Sequence, residues 1–235
     1  MHSTYSDGIL SPEEIVKVAK QFQLSKIGIC DHGFSKKLPA SKQISDRLEQ
    51  YLLHLNDLKS SCEIELLVGI EIDVSKYFGV DPIKLPFNTL NQFDYILFEY
   101  INTEFEYWGK VGSRDITEII NIRNQLTIPI GLAHNDLQQN FLGKESQITE
   151  LLANEDIFLE LNQSEKRQMQ QIGRNSREGK DYYCHFSSKL LKLLKEFTVK
   201  VIIGTDSHSG SSINRISDVM DFIKSHQLCL HELAL

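Results

Sequence analysis

Apolar and polar positions along this chain follow two alternating rhythms. Runs rich in Val, Ile, Leu, Tyr and Phe at residues 26–30, 64–72, 95–98, 157–161 and 199–204, with another starting at Ile128, have the length and composition of buried β-strands. Between them, apolar residues recur at helical spacing. Ser11-Pro-Glu-Glu14 supplies the N-cap serine, first-turn proline and third-position glutamate of a helix start, and Ile15, Val16, Val18 and Ala19 give the apolar face of a helix running to about Phe22. Leu48, Tyr51, Leu52 and Leu55 line one side of a helix predicted over residues 44–58, and further helices are predicted over 115–125, 187–197 and 212–224. Pro82 and Pro86 mark a looser stretch, and residues 165–180, rich in Lys, Arg, Gln and Gly, form the clearest loop. Strand and helix alternate almost throughout, with no repeat, low-complexity tract or linker, which predicts an α/β fold.

Four of the strand-like runs end in His, Asp or Glu: Ile27-Gly-Ile-Cys-Asp-His32, Leu66-Leu-Val-Gly-Ile-Glu71, Ile128-Pro-Ile-Gly-Leu-Ala-His134 and Val201-Ile-Ile-Gly-Thr-Asp-Ser-His208. In a closed parallel sheet the carboxyl ends of the strands converge on one mouth, where distant residues become neighbours around a metal cluster. A length of 235 residues with 41% apolar content suits a single domain over residues 1–235 with one large core. Cys30, Cys62, Cys184 and Cys229 show no CxxC spacing, so neither a zinc ribbon nor a disulfide framework is signalled, and reduced thiols in a cytoplasmic setting fit best. Neither a signal-peptide pattern nor a run long enough to span a bilayer is present. A net charge of −7 and a pI near 5.6 disfavour a nucleic-acid backbone as partner and favour a small substrate; oligomeric state is not signalled.

Six segments carry a resemblance. His2-Ser-Thr-Tyr-Ser-Asp-Gly8, Ser11-Pro-Glu-Glu14, Cys30-Asp-His32, Gly69-Ile-Glu71, Ala133-His134 and Gly204-Thr-Asp-Ser-His208, in that order over nearly the whole chain, resemble the polymerase and histidinol phosphatase (PHP) family. The resemblance implies a distorted (β/α)7 TIM-like barrel, two or three divalent metal ions (Zn, Mn or Fe) at its mouth, and hydrolysis of a phosphate ester. Carried over by position, it puts His2, Glu71 and Asp206 on one metal, lets Glu71 bridge to a second that also takes His134, and builds a third site from Asp7, His32 and His208. It implies a metal-bound hydroxide as nucleophile, with Asp206 fixing one cation and orienting the water.

Two departures from the family pattern stand out. The family opens with His-x-His after a first strand, whereas this sequence opens Met1-His2, so the first histidine and the strand before it are missing; the pattern points to a mis-assigned or shortened start. A histidine expected near the end of the third strand is replaced by Ile101, and Glu99, two residues earlier on the same strand face, is the candidate substitute. The site of Asp7, His32 and His208 is then complete, and the other two each lack one ligand.

Phe158-Leu-Glu-Leu-Asn-Gln-Ser-Glu-Lys-Arg167 resembles the histidinol-phosphatase segment that presents an asparagine and a downstream arginine to substrate. This makes Asn162 and Arg167 the candidate substrate contacts, with Arg174 or Arg177 assisting. The reading is a metal-dependent phosphoesterase acting on a small phosphorylated substrate, histidinol phosphate first. The alternatives are a phosphodiesterase or nuclease acting on nucleotides, and a catalytically impaired scaffold or metabolite-binding protein of the same fold. Asp31 is expected to be structural, Asp73 to point away from the cluster, and His54, His185, His226 and His231 to be surface or partly packed. The aromatic stretch from Phe93 to Trp108 is expected to be core and wall.

Overall fold

The computed structural model of the protein describes residues 1–102, 112–163, 186–210, 213 and 216–234. Seven strands, β1 (Lys26–Gly33), β2 (Glu65–Asp73), β3 (Tyr95–Glu99), β4 (Ile130–Leu132), β5 (Ile157–Asn162), β6 (Lys200–Gly204) and β7 (Cys229–Leu230), form one sheet in sequence order. Every neighbouring pair is parallel. Helix Pro12–Gln21 precedes β1, helices Leu48–Ser61, Ile116–Ile120, Glu145–Asn154, Ser188–Glu196 and Ile216–His226 return the chain between strands, and none is long and apolar enough to cross a membrane. The first begins as its sequence predicts: Ser11 Oγ accepts from the Glu14 amide, and the Glu14 carboxylate accepts from the Ser11 amide.

The sheet curls until its two sides approach at the mouth. Met1 donates its ammonium to Gly28 O and accepts from Cys30 N, which is the pairing a parallel strand would make with Ile29, while the His2 amide donates to Ser207 O just beyond β6. Met1 and His2 together therefore bridge β1 and the turn after β6. Beneath them lies a cavity of about 230 Å³ bordered by Leu24, Lys26, Gly28, Ile202, Met220 and Leu233.

Two apolar layers follow from strand alternation. The outer face of the sheet packs against the helices through residues such as Ile29, Ile70, Ile96, Leu132, Leu159 and Val201. The inner face carries a small separate cluster of Cys30, Tyr95, Leu97, Ala133, Phe158 and Ile202. Small residues make this interior possible: a Cβ on Gly131 would overlap the Phe158 ring, and one on Gly69 would overlap Tyr95.

Several elements depart from the expectation. The helix predicted over 115–125 is Ile116–Ile120 followed by a 3-10 turn, Arg123–Gln125, and the one predicted from 212 is helical from Ile216. Glu145–Asn154 was not predicted: its N-cap, Lys144, supplies no side-chain hydrogen bond, and only Ile148, Thr149 and Leu152 are buried. Strand β4 starts at Ile130 because Pro129 has no N–H for the ladder, although its carbonyl accepts from Ile96. Strand β7 has only two residues, too few to show a period. Expected at the surface or partly packed, His231 is buried, edge-on to Phe158 at 5.2 Å between ring centres, and its Nδ1 accepts from Leu233 N.

Replacing Gly131 with Ala puts a methyl group into the fully buried Phe158 ring, which has no free space to retreat into. Urea unfolding is expected to show a loss of about 1–3 kcal/mol, the usual effect of overpacking; an unchanged midpoint would show that the inner layer is loosely packed.

Candidate metal centre

Parallel register decides which side chains meet at the mouth. His32 on β1 pairs with Glu71 on β2, and Asp73 on β2 pairs with Glu99 on β3, so three strand ends deliver an imidazole and carboxylates to adjacent rungs. Residues 2–7 enter from the opposite side. His2 Nε2 lies 3.1 Å from Asp206 Oδ1 and 3.6 Å from Glu71 Oε2, and its ring stacks on both His32 and His208, with centroids 4.3 and 4.5 Å apart. His208 Nε2 is 3.2 Å and His32 Nε2 is 3.7 Å from Asp7 Oδ1. His134 Nε2 stands 3.2 Å from Glu71 Oε1. All seven residues predicted as ligands thus come together: His2, Asp7, His32, Glu71, His134, Asp206 and His208.

The approach of the amino-terminal loop is fixed by Asp31, as its structural role required. This buried carboxylate accepts from Ser3 N at 2.6 Å, Ser3 Oγ at 2.7 Å, Ser6 Oγ at 2.5 Å and Tyr51 OH at 3.0 Å. Three of the donors tie the segment between His2 and Asp7 to β1, and the fourth, Tyr51, holds the carboxylate from the helix Leu48–Ser61. Two other ligand candidates sit on left-handed backbone, His134 at φ 32° and Asp206 at φ 45°. Such conformations cost on the order of 1–3 kcal/mol each and persist only where the surroundings impose them. At His134 the imposing group is Glu160 on β5, whose Oε2 accepts the His134 amide at 2.7 Å. At Asp206 the backbone carbonyl faces His208 Nδ1 at 3.0 Å, which aims the other ring nitrogen at Asp7.

Electrostatics separate the charges in this mouth. Burial would raise the Glu71 carboxyl, but the charge of His32 and the hydrogen bond from His134 outweigh it and hold the group at about 2. His134 answers in the opposite sense: burial alone would lower it, and Glu71 lifts it to about 10. Asp7 is also held well below the usual carboxylate range, because the hydrogen bond from His208 and the charges of the neighbouring histidines overcome burial; His208 rises to about 9 chiefly through Asp7. Asp206 is low as well, with His2 opposing its burial. Burial drives Glu99 and Glu160 the other way, well above the usual range for Glu99.

Three buried polar atoms in this cluster make no hydrogen bond: His2 Nδ1, His32 Nδ1 and Glu99 Oε1. Buried groups are seldom left this way, and imidazole and carboxylate are donors that Zn, Mn and Fe accept. Two sets of donor atoms lie within 4.8 Å of one another, namely His2, Asp7, His32 and His208, and His32, Glu71 and Glu99. His2 reaches both the Asp7 set and the Glu71–Asp206 pair, so the mouth is one continuous cluster. The sequence profile described as PHP domain matches residues 1–200. The chain belongs to the PHP family.

Among solved structures, the PHP chain is similar to a histidinol phosphate phosphatase from Lactococcus lactis subsp. lactis Il1403, a structure complexed with Zn, L-histidinol and phosphate. The TM-score is 0.62 at 19% sequence identity, over 97% of this chain and 92% of that one. At that identity the likeness shows the fold, a distorted TIM-like barrel. No curated protein matches the sequence.

Asn162 is buried at the end of β5, and its Nδ2 donates to Glu160 Oε2 at 3.0 Å. Arg167, Arg174, Arg177 and His185 lie outside the described residues, as do Phe105, Tyr107 and Trp108. Ile101 is fully buried and apolar, while Glu99 joins the cluster. Asp73 is turned aside, paired with Ser35 and Lys37. Glu160 was missed, although a lone carboxylate in the apolar run Ile157-Phe-Leu-Glu160 was a readable signal.

Substituting Asp31 with Asn leaves its hydroxyl and amide donors without an ionised acceptor in a dry site. The expected loss is about 2–4 kcal/mol in urea unfolding of the cation-free protein. A loss below about 0.5 kcal/mol would mean that the amino-terminal loop is held by other contacts.

Proposed function

We propose that the protein is a metal-dependent phosphoesterase acting on a small phosphomonoester, with histidinol phosphate the first substrate to test. The observation that carries this reading is the convergence of seven imidazole and carboxylate side chains from five separate segments on one mouth, with buried donor atoms left unpaired. Family membership supports phosphoester hydrolysis in general. The histidinol phosphate phosphatase of similar fold, holding Zn, L-histidinol and phosphate, supports the choice of substrate and of cation.

In this proposal His2, Glu71, Asp206 and His134 hold cations on one side of the mouth, and Asp7, His32 and His208 hold one on the other. Divalent cations there supply charge neutralisation for phosphoryl oxygens and acidify a bound water. The protein's own groups do the positioning. Asp206, ionised throughout the working range and pinned on strained backbone, orients the attacking water toward phosphorus. Glu160 holds the His134 backbone in place, so His134 Nε2 keeps its aim at Glu71. Arg167 is assigned to a non-reacting phosphate oxygen and Asn162 to the substrate beside it, in a cytoplasmic setting that suits the unpaired Cys30, Cys62 and Cys229.

Protein loaded with Mn or Zn is expected to hydrolyse p-nitrophenyl phosphate and histidinol phosphate, while Asp206→Ala and His208→Ala lower kcat/KM by about a thousandfold or more. Activity surviving both substitutions would remove the site. A panel adding cyclic dinucleotides and short oligonucleotides separates this monoesterase from a phosphodiesterase.

Cation binding should also release protons. Near pH 7.5 the cation-free protein keeps His134, at about 10, and His208, at about 9, protonated, whereas a metal ligand must be a neutral imidazole. Cation affinity is therefore expected to rise with pH up to about 9–10, and calorimetric binding enthalpies to depend on buffer ionisation enthalpy. Buffer-independent enthalpies would contradict this protonation pattern.

A further inference from the structure

We propose that Glu99 is a metal ligand, completing with Glu71 and His134 an oxygen-rich position that selects Mn²⁺ over Zn²⁺. This rests on the metal-centre reading above and extends it to a residue and a selectivity which that reading leaves open.

Geometry comes first. Glu99 ends β3, two register positions beyond the Glu71–Leu97 pair and so on the same face, and its side chain is 2% exposed. Its Oε1 lies 3.7 Å from His32 Nδ1, and its Oε2 lies 3.8 Å from His134 Nε2, which is itself 3.2 Å from Glu71 Oε1. Ligand atoms bonded at about 2.0–2.2 Å stand roughly 2.8–3.1 Å apart around an octahedral ion and roughly 3.3–3.6 Å apart around a tetrahedral one, so the 3.2 and 3.8 Å spacings from His134 to Glu71 and Glu99 need little contraction to share one cation.

Unpaired atoms are the second observation. Glu99 Oε1 makes no hydrogen bond although it is buried, and neither does His32 Nδ1 facing it. The nearest ammonium, Lys37 Nζ, is 3.9 Å from Glu99 Oε1 but 2.9 Å from Asp73 Oδ2, so its closer partner is Asp73. Glu71 and Glu99 bring donor oxygens within 4.8 Å of each other in a nearly dry site, faced by His134 at 3.2 Å from Glu71 and by Lys37 at 3.9 Å from Glu99. Two buried carboxylates at that range cannot both stay ionised unless a cation, or a proton in its absence, lies between them.

Donor type sets the preference. His2, Asp7, His32 and His208 offer mostly imidazole, which suits Zn²⁺, whereas the Glu71–Glu99–His134 position offers mainly carboxylate oxygen, which suits Mn²⁺. Neutral imidazole has one lone pair, so His32 ligating the Asp7 side through Nε2 leaves the other position to these three residues.

The test is cation content after dialysis against equimolar Mn²⁺ and Zn²⁺, read by elemental analysis and by the Mn(II) electron paramagnetic resonance signal, for wild type, Glu99→Gln, Glu99→His and Asp206→Ala. Wild type is expected to hold both metals. Glu99→Gln is expected to lose about one Mn per chain, with Mn affinity lowered about 100-fold or more, while keeping Zn. Glu99→His is expected to restore the stoichiometry with Zn in place of Mn, which also shows that the fold tolerates the position. Glu99→Gln with wild-type Mn content and spectrum, alongside metal loss in Asp206→Ala, would overturn the Glu99 assignment and leave the metal centre standing. A wild-type chain that takes up no cation would overturn both.

Discussion

Negative charge confined in a nearly dry mouth is the constraint on which the rest of this structure depends. Glu71, Glu99 and Asp206 are brought together by strand register and by the turn after β6, and none of them can move away without breaking the sheet. Their repulsion is relieved in part by burial, which keeps a proton on Glu99, and in part by the stacked rings of His2, His32 and His208 and by His134 against Glu71. Histidine charge alone balances the site poorly, because each imidazolium is itself desolvated there: burial and the neighbouring His2 bring His32 down, while His134 and His208 rise only because Glu71 and Asp7 outweigh burial. Divalent cations resolve the imbalance, since each replaces a proton and draws two or three carboxylate and imidazole lone pairs together.

The scaffold can be understood as what keeps those groups from relaxing apart. Asp31 ties the loop carrying His2 and Asp7 to β1 through three donors from Ser3 and Ser6, and is itself held by Tyr51. Glu160 holds the strained backbone of His134 from the neighbouring strand. Beneath the mouth, Tyr95 and Phe158 pack against glycines beside the cavity, so the strand ends on that side rest on closely packed rings. Met1 adds one parallel rung to β1, and His2 fastens to the turn after β6, so a stub of a few residues joins two sides of the curled sheet.

How much of this was legible depended on whether a signal was local. Strand ends carrying His32, Glu71, His134, Asp206 and His208 could be read directly, because apolar runs broken by metal-type ligands are visible without tertiary information. Ser11 announced its helix through a capping box, while Glu145–Asn154, with no capping side chain, announced nothing. Strand β7 and the burial of His231 against Phe158 depend on long-range packing that no periodicity records, whereas Glu160 stood out as a carboxylate in an apolar run and only its partner, the His134 amide, needed the fold. Glu99 was visible only as a candidate by strand alternation; its place beside His32 and His134 follows from register across three strands.

Anomalous diffraction from crystals of the metal-loaded protein tests the central claim most directly. The account predicts peaks about 2.0–2.5 Å from the donor atoms of Glu71, His134 and Asp206 on one side of the mouth and of Asp7, His32 and His208 on the other. Peaks elsewhere on the molecule, or none at the mouth while these side chains keep their positions, would contradict it.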